Sequence, residues 1–165
     1  MLYELATSVA GITKGSATQL LINDRSDIAA AAGADGVHLT TSSLPIAVVR
    51  QSFGEEFLIG ASTHALDEAK LARRGGADFV VFGPVFETAS KRDYGEALGL
   101  VNLATVCAEL SPFPVLALGG VELPNVRDCI RAGARGVAAI RMLQQPDRLG
   151  DIADEIRRSF GEGSL

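Results

Sequence analysis

Neither of the common glycine-rich nucleotide fingerprints, GxGxxG and GxxxxGK[ST], occurs anywhere in the 165 residues. A doubly wound dinucleotide-binding sheet would carry the first after its opening strand, and a P-loop enzyme the second. Cysteine is scarce as well. Cys107 and Cys129 sit in helix-like segments with no CxxC or CxxH spacing, which suggests neither a zinc site nor a disulfide framework and leaves buried free thiols as the expectation. No apolar run approaches the roughly 18 residues of a membrane span, and MLYELATSVAG lacks the basic flank of a secretory signal; the expected location is the cytoplasm. Positive charge is also in short supply, with 15 Lys and Arg against 20 Asp and Glu and a net charge of -5. Nucleic acid and anionic membrane surfaces both require clustered cations, so neither is an expected partner, and an anionic ligand would have to be held locally.

What is present is an apolar chain, 47% hydrophobic, long enough to bury one good core; residues 1–165 are expected to form a single domain. It repeats itself. GADGV at Gly33, GADFV at Gly76 and GARGV at Gly133 each follow an alanine-rich or amphipathic segment and precede an apolar run. Each leading glycine fits the left-handed residue that ends a helix, and each run reads as a short buried parallel strand. QLLIN ending at Asn23, FLIGAS ending at Ser62 and PVLALGG ending at Gly120 are three more strands of the same kind, which makes six.

Between them the period is helical. Leu100, Leu103, Cys107 and Leu110 share a stripe, as do Leu149, Ile152, Ala153, Ile156 and Phe160. HALDEAKLARRGG has acids in its first turn and Arg73 and Arg74 in its last, the polarity a helix dipole favours. Alternating β and α predicts a parallel sheet, either doubly wound or a (β/α)8 barrel. Strand ends carry the polar groups (INDR, HLTTSS, GASTH, GPVFETASK, LGGV and AIRM), as a barrel's functional face requires. The fold class is therefore α/β, a TIM (β/α)8-type barrel. LGG at Leu118 to Gly120 and the turn at Ile140 and Arg141 fall where such barrels bind phosphate on backbone N–H groups.

The ordered set INDRSDIAAAAGADGVHL, GASTHALDEA, FGPVFETASK, LALGGV and GARGVAAI resembles the thiamine phosphate synthase family and its sister thiazole tautomerases, from about Leu20 to Leu143. That resemblance implies a (β/α)8 barrel and a reaction that joins a pyrimidine pyrophosphate to a thiazole phosphate with magnesium, releasing pyrophosphate. It also implies roles. Asn23 and Asp24 match the family's Asn-Asp pair, where the aspartate helps hold magnesium. Ser62 matches a serine that contacts pyrophosphate; Thr88, Ser90 and Lys91 match the hydroxyls and lysine of the loop after the family's sixth strand. Gly119 and Gly120, with the main chain at Ile140 and Arg141, match the cup for the thiazole phosphate. Catalysis is thus expected from Lys91 and Ser62, since a lysine there can stabilise charge on departing pyrophosphate. The tips of the strands are expected to converge on one cradle for a phosphorylated small molecule.

Local structure offers competing roles. Asp24 and Ser26 would serve as N-caps for SDIAAAAG, and Ser62, Thr63 and Asp67 would start the following helix. His38, on an apolar strand, is expected as a satisfied core histidine, and His64 as a helix-start residue.

The chain also departs from the family pattern. Where the family has a GQEDLP-like stretch with a second magnesium carboxylate, this chain reads TTSSLP with Ser43, so magnesium is expected to bind weakly through Asp24 and substrate phosphates. Arg141 replaces a serine, and Pro84 replaces a histidine that some tautomerases carry. A metal-independent thiazole phosphate tautomerase and a degenerate, non-catalytic phosphate-binding barrel therefore stand as alternatives. The family's first strand, helix and second strand, with a Gln-Arg-Lys set, find no match, so the barrel is expected to be N-terminally truncated to about six βα units. Open strand edges at QLLIN and GVAAI would then favour a homo-oligomer that pairs them.

Overall fold

The computed structural model describes residues 1–87 and 96–161. Thr88, Ser90 and Lys91 lie outside the described residues. Among the described residues, seven α-helices and six short strands alternate: α1 Leu2–Thr13, β1 Leu21–Asn23, α2 Ser26–Ala32, β2 Gly36–Leu39, α3 Ile46–Phe53, β3 Leu58–Thr63, α4 Leu66–Arg74, β4 Phe79–Phe82, α5 Gly99–Leu110, β5 Val115–Leu118, α6 Leu123–Arg131, β6 Gly136–Ala138 and α7 Leu149–Gly161. All six strands anticipated from the sequence are present, and they neighbour one another in chain order, β1-β2-β3-β4-β5-β6. The ladders β1/β2, β2/β3 and β5/β6 are parallel, with Asn23 opposite His38, His38 opposite Gly60 and Leu118 opposite Ala138.

The three repeats do what their glycines allow. Gly33, Gly76 and Gly133 have φ of 73°, 93° and 97°, the left-handed conformation that closes a helix and turns the chain into the next strand. In each case the amide of the following alanine closes the motif, donating to a carbonyl one turn back: Ala34 to Ala29, Ala77 to Ala72 and Ala134 to Cys129.

The chain divides into two compact units. One comprises Met1–Thr63 and Lys70–Val80. Its core is small and mostly aliphatic, with Ile22, Ala29, Val37, Leu39, Val49, Phe57 and Ile59 buried. Apolar burial at about 25 cal/mol per Å2 is the main stabilising term here, as in any small α/β unit. Arg50 on α3 adds a polar staple. Its guanidinium donates to the carbonyls of Gly54, Phe57 and Gly76 and pairs with Asp78 at 2.7 Å, and Asp78 in turn accepts from the amide of Ile59. The second unit comprises His64–Ala69 and Val81–Leu165. Phe82, Val85, Leu103, Val106, Leu110, Val115, Val126 and Ile152 are buried there. Cys107 and Cys129 are buried free thiols, and loss of solvation pushes each up to about 11.

Candidate functional site

In the first unit the polar residues gather where β1, β2 and β3 end. After Asn23 the chain leaves the ladder through Asp24, whose φ of 61° is left-handed, a conformation that aspartate tolerates better than most residues. Its amide donates to the carbonyl of His38 at 2.9 Å. The carboxylate then faces the β2–α3 turn, and Oδ1 accepts from the Thr40 amide at 3.1 Å, from the Thr40 hydroxyl at 3.0 Å and, at close range, from the Ser43 hydroxyl. The Ser43 hydrogen bond is the main reason that Asp24 is held below the usual carboxylate range.

Helix capping proves to be the wrong role for Asp24 and Ser26. Arg25 is the N-cap of α2 with no side-chain cap, and Ser26 is a buried first residue of the helix. The Asp24 carboxylate takes its donors from Thr40 and Ser43 instead of from the first turn of α2.

Magnesium asks for hard oxygen ligands in near-octahedral array, usually one or two carboxylates plus phosphates. Asp24 offers one carboxylate, and three hydrogen-bond donors already converge on its Oδ1. Ser43 points a hydroxyl at that oxygen where a second carboxylate would serve a metal. Among the described residues no group of three or more His, Cys, Asp or Glu side chains comes together. This donor set does not fit a metal site made by the protein alone.

Ser62 is half-buried near the end of β3, and its hydroxyl lies 2.9 Å from Nε2 of His38. His38 is thus satisfied within the fold, as expected, although its partner is itself a predicted site residue. The sequence signal that would have paired them is the parallel register, which sets His38 beside Gly60, two residues before Ser62. In the second unit, the His64 amide donates to the Glu68 carboxylate at 2.6 Å, which is a helix-start role, and its ring Nδ1 donates to the carbonyl of Gly83.

The predicted phosphate cup lies entirely in the second unit. Gly119, Gly120, Ile140 and Arg141 line one cleft of about 530 Å3, together with Arg148 and Gln145, which sequence reasoning did not identify, and the apolar Val121 and Ile152. The glycines are needed structurally as well. Both have positive φ, 93° and 62°; a Cβ on Gly119 would come within 2.5 Å of Pro84, and one on Gly120 within 2.6 Å of the Glu87 carbonyl. The strand tip is also anchored: the amides of Val85 and Phe86 donate to the carbonyls of Leu118 and Gly119, and Asn125 Nδ2 donates to that of Gly120. Asn125 completes a capping box with Glu122 that starts α6, fixing the turn from both sides.

The family profile described as thiamine monophosphate synthase matches residues 1–143. A candidate thiamine-phosphate synthase of Geobacter sulfurreducens is 47% identical over 147 residues, covering 88% of this chain and 68% of that protein. A thiamine-phosphate synthase of Chloroflexus aurantiacus is 36% identical over 154 residues, 93% of this chain and 70% of its own length. Among solved structures, the thiamine phosphate pyrophosphorylase of Pyrococcus furiosus superimposes with a TM-score of 0.85 at 30% identity, covering 99% of this chain and 78% of that one. The chain belongs to the thiamine monophosphate synthase family.

Proposed function

We propose that this protein acts in thiamine biosynthesis as its family does, binding a thiazole phosphate and joining it to a pyrimidine pyrophosphate with release of pyrophosphate. The observation that carries the reading is the ordered family match over residues 1–143. On this reading the cleft at Gly119, Gly120, Ile140 and Arg141 takes the thiazole phosphate, and Asn23, Ser62, Thr88, Ser90 and Lys91 serve the pyrophosphate. The lone pair of the thiazole nitrogen forms the new bond to the pyrimidine methylene as that carbon's bond to pyrophosphate oxygen breaks, and the electron pair of the broken bond leaves on that oxygen. Lys91 and Ser62 stabilise the charge that grows there. We assign the chain the (β/α)8-type barrel of its family, a cytoplasmic location and assembly with copies of itself through β1 and β6, which stand at the two ends of the strand order. No helix among the described residues is long and apolar enough to cross a membrane.

On this reading Asp24 would be the one protein carboxylate offered to a magnesium ion held mainly by pyrophosphate oxygens, and such an ion would supply charge neutralisation for the leaving group. The Ser43–Asp24 hydrogen bond favours a second reading, a thiazole phosphate tautomerase or a non-catalytic binder that works without metal. Incubation with both phosphorylated halves, with and without magnesium, tests the pair. Condensed product supports the synthase; thiazole phosphate binding without product, accompanied by proton exchange on the thiazole, supports the tautomerase.

A further inference from the structure

Ser62 has one hydroxyl hydrogen and, on the reading above, two neighbours. One is His38, whose Nε2 lies 2.9 Å from Oγ; the other would be a fully ionised pyrophosphate oxygen, which has no hydrogen to give. A hydroxyl can donate only once. If its hydrogen goes to the histidine, Oγ presents lone pairs to an anion and repels it. If Nε2 carries a hydrogen and donates to Oγ, the serine hydrogen is free for the anion.

The surroundings of His38 fix which ring atom meets Ser62. Across the β2/β3 ladder His38 is registered with Gly60, and the ring fills the space that a side chain there would occupy: a Cβ on Gly60 would come within 2.8 Å of Nδ1 and 2.3 Å of the Phe79 ring. Phe79 stacks on the imidazole at 6.3 Å between centroids and 29° between planes. The ring packs against Gly60 and stacks with Phe79, and its Nε2 is turned toward Ser62. Burial also lowers the histidine's affinity for a second proton, against the opposing charge of Asp24.

We propose that His38 is a positioning residue for Ser62, donating from Nε2–H to Oγ so that the serine hydroxyl is aimed, hydrogen first, at an anionic phosphate oxygen. The proposal rests on the assignment of Ser62 to the pyrophosphate. It gives a buried histidine a role in ligand recognition without making it an acid or a base.

Two measurements test it. Long-range 15N–1H NMR of the wild type is expected to find the hydrogen of neutral His38 on Nε2; a hydrogen on Nδ1 overturns the proposal. Calorimetry with inorganic pyrophosphate supplies the second. Ser62→Ala is expected to weaken binding about tenfold. His38→Gln, which keeps a donor near the Nε2 position, should stay within about twofold of wild type, while His38→Asn, whose donor falls short, should lose about tenfold and nothing further in a Ser62→Ala background. Binding unaffected by Ser62→Ala would remove Ser62 from the ligand site, and the proposal with it. Weakened binding in Ser62→Ala with His38→Asn unchanged, or additive with it, would overturn the role of His38 alone.

Discussion

At the scale of single residues, Asp24 concentrates backbone strain and charge in one place. A left-handed residue other than glycine costs roughly 1 kcal/mol, and three donors on Oδ1 offset that cost. Asp24→Ala loses the donors and keeps the strain, whereas Asp24→Gly loses both. We therefore expect the glycine variant to be the more stable of the two by about 1 kcal/mol in urea denaturation. The carboxylate itself should titrate below the ordinary range, and Ser43→Ala should raise it, as read by NMR titration. The sign follows from linkage. A carboxylate whose folded value is depressed stabilises the fold above its unfolded value, and that contribution fades as pH falls through the folded one. Because Asp24 is exposed, the change in stability should be small even where the titration shift is clear. The sequence contained Asp24 and Ser43, but their meeting could not be read from it, since it depends on β1 and β2 ending side by side.

At the scale of elements, close approach of backbones sets what each strand tolerates. A Cβ on Gly36 would fall 2.0 Å from the Leu58 carbonyl, inside the β2/β3 ladder, where nothing can rotate away. A Cβ on Gly136 would meet only the end of the Leu116 side chain at 2.8 Å. Gly36→Ala should therefore destabilise by more than about 3 kcal/mol and Gly136→Ala by about 1, measured by thermal melting under one condition. Arg50 links α3 to three loop carbonyls and to Asp78, with its side chain only 11% exposed. Arg50→Lys keeps the charge but loses the planar fork, and a loss of about 2–3 kcal/mol is expected from chemical denaturation. These elements were legible. The three GA(D/R)-type repeats marked helix ends and strand starts because left-handed glycine followed by an apolar run has few other structural meanings.

At the scale of the whole molecule, the thiols report on opening. Cys107 on α5 and Cys129 on α6 are 8% and 0% exposed, and burial raises both to about 11, which starves them of thiolate. Neither should react with a thiol reagent at pH 8 until denaturant exposes them, and the rate should then rise with the unfolded fraction. Hydrophobic period together with turn chemistry determined an alternating α/β chain with six strands, because both are local properties of neighbouring residues. The motifs also carried the family. Tertiary structure decided the rest. Packing drew Asp24 out of a helix cap and onto Thr40 and Ser43, set the His38 ring against Gly60 so that it meets Ser62, and brought Arg148 to the cleft that Gly119 and Gly120 line. Each depends on which strand ends lie side by side or which segments close one cleft, and register and loop path are properties of the assembled chain that no local pattern encodes.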